Sequence, residues 1–209
     1  MMKQWAVALS VTISSGMTMA TEVSRINEKW GETGTSYSMT QESYNEELVS
    51  KMHDIILNFH MVDTAGTEAA LPFHNNDSAE YKVYADDQIQ KSADRLKNRK
   101  GCLLSISKNE ELVGGTYFSV EQDGEVVRMQ HAGFRLDLPM EEIGFSQQKM
   151  MEVLSSRTYF PDIKTLVVYL RHNSALEPRL FMLGFDKGTY KSVDNPEDQY
   201  QPYEKVIVG

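Results

Sequence analysis

The middle of the chain changes from a helical to a strand-like pattern, and this change limits the folds available to it. Three runs there are rich in Val, Leu, Tyr and Phe: residues 102–107, 112–121 and 125–138. Asn109-Glu110 separates the first two runs, and Asp123-Gly124 separates the last two. An Asp-Gly pair between apolar runs is a strong β-hairpin signal, so the sequence predicts three antiparallel strands. Gly133, inside the long third run, predicts a bulge or bend.

Helical patterns lie on both sides of these strands. Ser43 begins a Ser-x-x-Glu capping box, and the apolar residues that follow predict a helix over 44–60. A second helix over 86–100 is expected to stop at Gly101. The C-terminal part predicts helices over 146–157 and 174–183 and strands over 165–170, 188–193 and 203–208. This order of elements predicts one mixed α/β domain over residues 40–209.

Residues 1–39 are expected to form an N-terminal extension. A lysine within residues 1–4, an apolar stretch over 5–13 and small residues ending at Ala20 have the order of a secretory signal. Serine and threonine dilute the apolar stretch, which is too short to span a bilayer as a helix. A cleaved signal, a short strand and a disordered arm therefore remain open. We expect a cytoplasmic protein, and the alternative is secretion through a signal ending near Ala20.

The charge balance argues against a nucleic-acid partner. The formal net charge is −9, from 21 Lys plus Arg and 30 Asp plus Glu, whereas phosphate contacts need clustered cations. The basic residues at 95–100 lie at the end of a predicted helix, where cations complement the helix dipole. Cys102 is the single cysteine and lies in an apolar run, which favours a buried side chain. His53, His60 and His74 lack metal-ligand spacing, so no metal site is predicted.

The segment that follows the predicted strand 165–170 carries the most specific pattern of the chain. Five residues follow one another there at spacings of three, four, four and one positions: Asn173, Leu176, Leu180, Gly184 and Phe185. The asparagine suits a helix cap, the two leucines share a helix face, and the glycine suits a left-handed helix end. With the preceding order of elements, this pattern resembles the GCN5-related N-acetyltransferases (GNAT), and more loosely their arylalkylamine-acetyltransferase branch. A capped helix in another α/β fold is the alternative.

The resemblance implies a mixed, mostly antiparallel sheet flanked by helices, with two splayed central strands that end at Leu138 and Leu170. It also implies acetyl-CoA as co-substrate, with pantetheine in the gap and the pyrophosphate at the N-terminus of the third helix. The residues carried over as cofactor-binding are Leu136, Leu138, Gly144, Ser146, Gln147 and Asn173.

The expected phosphate loop departs from the family pattern. After the apolar-Pro pair at 138–139, Glu142 stands where Arg or Gln is expected, and Phe145 and Gln147 stand where small residues are expected. Gly144 lies one position earlier than the glycine of the family pattern. A carboxylate beside a pyrophosphate is repulsive, so we expect a weakened affinity for CoA.

The acid–base groups also depart from the family. Leu180 stands where the resemblance places a tyrosine acid, and Tyr169 and Tyr190 are the stand-ins. His131 is the expected base, because its ordinary pKa lies in the useful range, although a structural role is the alternative. The resemblance implies an N-acetyltransferase acting on an amine of a small molecule or peptide. A catalytically impaired protein that uses the same fold for binding is the alternative.

Overall fold

The computed structural model describes five stretches of the chain: residues 27–30, 37–64, 78–171, 177–191 and 200–208. The proposed signal segment, together with Asn173 and Leu176, lies outside these residues. The strands are β1 (Asn27–Trp30), β2 (Tyr37–Glu42), β3 (Cys102–Lys108), β4 (Glu111–Glu121), β5 (Val126–Phe134), β6 (Thr165–Arg171), β7 (Asp186–Lys187) and β8 (Tyr200–Val206). The helices are α1 (Glu46–Thr64), α2 (Ser78–Lys97), α3 (Met140–Leu154) and α4 (Glu177–Met182).

The described strands form one sheet in the order β1-β2-β3-β4-β5-β6-β8-β7. All neighbouring strands are antiparallel except β5 and β6, which are parallel. The prediction of a mixed, mostly antiparallel sheet flanked by helices is confirmed. The positions of the three central strands also agree with the sequence, apart from the end of β5, because their hairpin signals are local and strong.

Each face of the sheet covers its own hydrophobic core. Leu103 and Tyr117 pack with buried residues of α1 and α2, including Ile56 and Ile89. The next residue along each strand, such as Leu104 or Phe118, packs with α3 on the other face: Ile143, Met150 and Leu154. Successive strand side chains point to opposite faces, so a continuous apolar run serves both cores. Burial of one large apolar side chain stabilises the fold by about 1.5–3 kcal/mol.

The sheet begins before the expected domain boundary. Thr40 lies in the middle of β2, which pairs with β3 along its whole length, and β1 pairs with β2 in turn. Tyr37 and Met39 of β2 are buried, but the residues between and after them are polar. This weak alternation explains why the sequence placed residues 27–39 in an extension.

Several predicted element ends were wrong. Strand β5 ends at Phe134, because residues 135–138 turn toward α3. Helix α3 begins at Met140 and ends at Leu154, so the expected phosphate loop 142–147 is helical. Helix α2 begins at Ser78, eight residues before the predicted start. Helix α1 begins close to its predicted position, but its N-cap is Asn45, whose Oδ1 accepts from the Leu48 N–H at 3.0 Å, and not Ser43.

Candidate active site

The parallel strands β5 and β6 pair over only part of their length. Their pairing ends at Met129 and Val168, whereas β5 continues to Phe134 and β6 to Arg171. Over this last part, β5 stays paired with β4, and β6 stays paired with β8. The two strands therefore separate and leave a gap in the middle of the sheet. The expectation of splayed central strands is confirmed, with the end of β5 corrected to Phe134.

A β-bulge lies where the gap begins. Tyr117 and Phe118 are adjacent on β4, but they pair with His131 and Met129 of β5, so Gln130 is an extra residue. A bulge bends its strand and increases the local twist, which accounts for the loss of pairing with β6 at this point. The sequence prediction had placed the irregularity at Gly133.

The bulge brings two consecutive side chains to the face that α1 and α2 cover. The amide of Gln130 lies 3.0 Å from Ser92 Oγ on α2. The ring of His131 lies against the ring of His60 on α1, with a centroid distance of 5.7 Å. A regular strand would have turned one of the two side chains to the opposite face.

Gly133 has a different role, which is to let α1 cross β5 closely. A Cβ atom at Gly133 would lie only 2.6 Å from Ile56 Cα, so a larger residue would push the helix away. His60 follows Ile56 by about one helical turn and therefore lies farther along the same face of α1. Its Nδ1 is 3.3 Å from the hydroxyl of Tyr81 on α2. His60, which sequence reasoning had considered only as a metal ligand, thus adjoins His131.

The electrostatic surroundings keep His131 neutral. Burial lowers the pKa of His131 to about 3, and the positive charges of His60, Arg128 and Arg95 act in the same direction. The neutral ring can accept a hydrogen bond from a ligand at neutral pH. As a proton acceptor it is weak, because an efficient general base has a pKa near the working pH.

The N-terminal end of α3 follows the gap directly along the chain. Leu136 and Leu138 lie in the turn between β5 and α3; Leu136 is 51% exposed, and Leu138 packs against the core. Pro139 precedes the helix, and no side chain caps the first turn. The first-turn N–H groups therefore belong to residues 140–142, and not to the residues around Ser146.

The other expected cofactor residues lie within α3. Ser146 is fully buried, and its Oγ has no hydrogen-bond partner among the described residues. Gly144 and Gln147 are three residues apart and lie on one side of the helix, while Phe145 is exposed. Because the segment is helical, these residues cannot form the loop that the sequence suggested.

Glu142 is held by two side chains from the neighbouring strands β2 and β3. Lys108 Nζ of β3 donates to Glu142 Oε2 at 2.6 Å, and the Tyr37 hydroxyl of β2 donates to the same oxygen. The hydrogen bond from Lys108, followed by that from Tyr37, lowers the pKa of Glu142. The carboxylate is therefore directed toward β2 and β3.

Two solved structures with a similar architecture are acetyltransferases. PaiA N-acetyltransferase from Thermoplasma acidophilum, solved with coenzyme A, is similar with a TM-score of 0.54 and 9% identity, covering 80% of this chain and 98% of that one. RimL, a ribosomal-protein α-N-acetyltransferase solved with coenzyme A, is similar with a TM-score of 0.51 and 15% identity, covering 86% and 98%. The fold of this chain is the GNAT fold. No protein-family profile and no curated protein matches the sequence.

The GNAT fold here lacks the expected acid on α4. Leu180 is 6% exposed and packs in the core with residues of α3. Tyr169 and Tyr190 lie on the other face, where Tyr169 donates to the Tyr190 carbonyl at 2.9 Å and Tyr190 donates to Glu121 at 2.7 Å. Burial and the Glu121 carboxylate raise the pKa of Tyr190. Both hydroxyl protons are thus engaged within the protein.

The described residues give little support to a nucleophilic cysteine or to a metal site. Burial raises the pKa of the Cys102 thiol to about 12, which makes it a poor nucleophile. Within the described residues, no three His, Cys, Asp or Glu side chains gather as a metal site would require. The helices in the described stretches include none that has the length and apolarity to cross a bilayer.

Proposed function

We propose that this protein is an acetyl-CoA-dependent N-acetyltransferase that acts on an amine of a small molecule or peptide. The observation that carries the proposal is the gap between β5 and β6, which opens at the Gln130 bulge and leads to α3. The similarity to PaiA and RimL, both solved with coenzyme A, supports the same cofactor class.

The residues around the gap fit such a cofactor in outline. Beyond the last β5–β6 pair, the facing strand edges offer peptide groups to the amides of a pantetheine arm. Leu136 and Leu138 lie in the turn through which that arm would leave the gap. The uncapped first turn of α3 offers N–H groups and a favourable dipole to the pyrophosphate. Asn173 lies outside the described residues, so its proposed role in cofactor binding rests on the family resemblance alone.

The transfer moves one acetyl group from sulfur to nitrogen, so one proton must leave the amine and one must reach the thiolate. We assign His131 to the amine side, because it lies beside the start of the gap on the α1 face. Its low pKa suits a hydrogen-bond acceptor that orients an amine arriving in its neutral form. With Leu180 in the core, the thiolate takes its proton from solvent or from the amine itself.

The proposal is tested by calorimetry with acetyl-CoA and by turnover assays over a panel of amines. We expect acetyl-CoA binding, release of free CoA thiol, and an N-acetylated amine detected by mass spectrometry. His131→Ala provides the matched variant, which should retain cofactor binding and lose turnover. An absence of heat and of thermal stabilisation at millimolar acetyl-CoA would overturn the proposal.

One observation favours a second candidate, a binding protein without catalysis. Leu180 replaces the expected acid and is a well-packed core residue, so the usual proton donor to sulfur is absent from α4. Under this alternative, acetyl-CoA or CoA still binds, but no amine in the panel is acetylated.

A further inference from the structure

Helix α3 has two different sides near its N-terminus. Glu142 and Gly144 are two residues apart along α3. Each residue advances about 100° around the helix axis, so the two positions lie on nearly opposite sides of the helix. The Glu142 side is occupied by its contacts with Lys108 and Tyr37. The glutamate therefore does not oppose an anion on the Gly144 side.

A guanidinium group lies on the Gly144 side. Nη2 of Arg179, from α4, is 3.1 Å from the position that a Cβ atom of residue 144 would take. This distance is shorter than an ordinary van der Waals contact, so the guanidinium can lie this close because Gly144 has no side chain. An alanine at this position would require the guanidinium to shift by a few tenths of an ångström, and a bulkier residue would displace it further.

Arg179 carries a charge that the described residues do not compensate. Its side chain is partly exposed and has no hydrogen-bond or ion-pair partner in the described part of the chain. The nearby carboxylate of Glu177 is already engaged, because it accepts from Lys187 and from the Tyr203 hydroxyl at 2.6 Å each.

An unpaired polar group lies on the same side of α3. Gln147 follows Gly144 by three residues, so the two share one helix side. Its Oε1 is buried and has no hydrogen-bond partner among the described residues. Buried polar atoms are nearly always paired, so this one points to a polar group that completes the site. Arg179 and Gln147 together offer donors and acceptors where α3 meets α4.

We propose that Arg179, seated on Gly144, binds the phosphates of the CoA cofactor. The inference rests on the proposed acetyl-CoA chemistry. It assigns Arg179 as the cation that contacts the phosphates, since Glu142 stands where the family pattern has Arg or Gln. A guanidinium can donate two parallel hydrogen bonds to a phosphate, and its charge does not depend on pH in the working range. Gly144 then serves to admit the arginine side chain.

The test compares CoA with pantetheine, which has the same arm and no nucleotide phosphates. Arg179→Gln should weaken CoA binding by about tenfold or more and leave the affinity for pantetheine unchanged. Arg157→Gln is the matched control, because Arg157 is exposed at the far end of α3 and should not affect either ligand. An unchanged affinity for CoA in Arg179→Gln, or an equal loss for pantetheine, overturns the inference and leaves the proposed function intact. A wild-type protein that binds neither ligand overturns both.

Gly144→Ala supplies a second test of the contact between α3 and α4. The methyl group should displace Arg179 and weaken CoA binding several-fold in the wild-type background. In the Arg179→Gln background, the same change should have no further effect, because the side chain that it displaces is absent. Additive losses in the double variant would show that Gly144 acts independently and would contradict the proposed seat. Circular dichroism confirms that each variant is folded.

Discussion

His60 of α1 lies against His131 of β5, with ring centroids 5.7 Å apart and planes inclined by 59°. Two separate features produce this contact. The bulge at Gln130 turns His131 toward α1, and Gly133 allows α1 to approach the strand through Ile56. The pair lies beside the opening between β5 and β6, so it links the packing of α1 to the proposed chemistry.

His131 should make the folded state more stable at neutral than at acidic pH. Its pKa is lowered from 6.5 to about 3, so the unfolded chain binds a proton between these values that the folded chain does not. The stabilisation is complete above pH 6.5 and decreases as the pH falls toward 3, by at most about 1.4 kcal/mol per pH unit. Urea unfolding of the wild type and of His131→Asn at pH 7 and pH 5 measures this. The variant should show the smaller difference.

His53→Asn is the control for that measurement. His53 lies on α1, as does His60, but its Nε2 pairs with Asp86 Oδ1 at 2.8 Å and not with His131. The change that this variant causes comes from the His53–Asp86 contact and provides the baseline against which His131→Asn is compared. If His131→Asn kept the wild-type difference, the neutral state of His131 would not contribute to the pH dependence of stability.

The pH profile of turnover should follow the acceptor amine. Because His131 is already neutral, its titration should give no inflection in kcat/KM between pH 5 and pH 8. We expect kcat/KM to rise with pH up to the pKa of the amine, and to shift when an amine of different pKa is used. The measurement is a set of pH–rate profiles with two amines. An inflection near pH 6.5 that is independent of the amine would assign an ordinary general base instead.

His131→Ala should lower kcat by about 100-fold, the cost of misplacing the amine by about 1 Å, with little change in acetyl-CoA affinity. Added imidazole should restore part of the activity, since it can occupy the space left beside His60. A purely structural role of His131 would give a loss that imidazole does not reverse.

The sequence could predict the central strands β3 to β6 because these depend on local signals, whereas β1 and β2 were missed. The Asp123-Gly124 turn and the Gly184-Phe185 pair are readable without knowledge of distant residues. The position of α3 was misjudged because Glu141 and Glu142 were interpreted as parts of a loop, although acids also suit the first turn of a helix. Gly144 is the instructive case, since its neighbour Arg179 comes from another helix and no spacing rule relates the two.

Gly133→Ala should destabilise the protein by about 1–3 kcal/mol, because the new methyl group would overlap the backbone of α1 at Ile56. It should also move His60 away from His131 and reduce turnover. Chemical unfolding gives the first effect, and kcat gives the second. Gly144→Ala is the control for stability, because its methyl group meets only the flexible end of Arg179 and alanine favours a helix interior. Equal destabilisation by both substitutions would contradict the close helix crossing.

Lys108 should protect cofactor binding by holding Glu142 away from the phosphates. Lys108→Ala leaves the Glu142 carboxylate with the Tyr37 hydroxyl alone and removes the positive charge beside it. We therefore expect the affinity for CoA to fall by roughly threefold to tenfold through repulsion. The double variant Lys108→Ala/Glu142→Ala removes that carboxylate and should recover most of the affinity, while Glu142→Ala alone should change it little. Calorimetry with CoA at low and moderate salt measures the series, and the loss should be smaller at higher salt. If the double variant bound CoA as weakly as Lys108→Ala, the lysine itself would contact the cofactor, and the tether to Glu142 would not be its role.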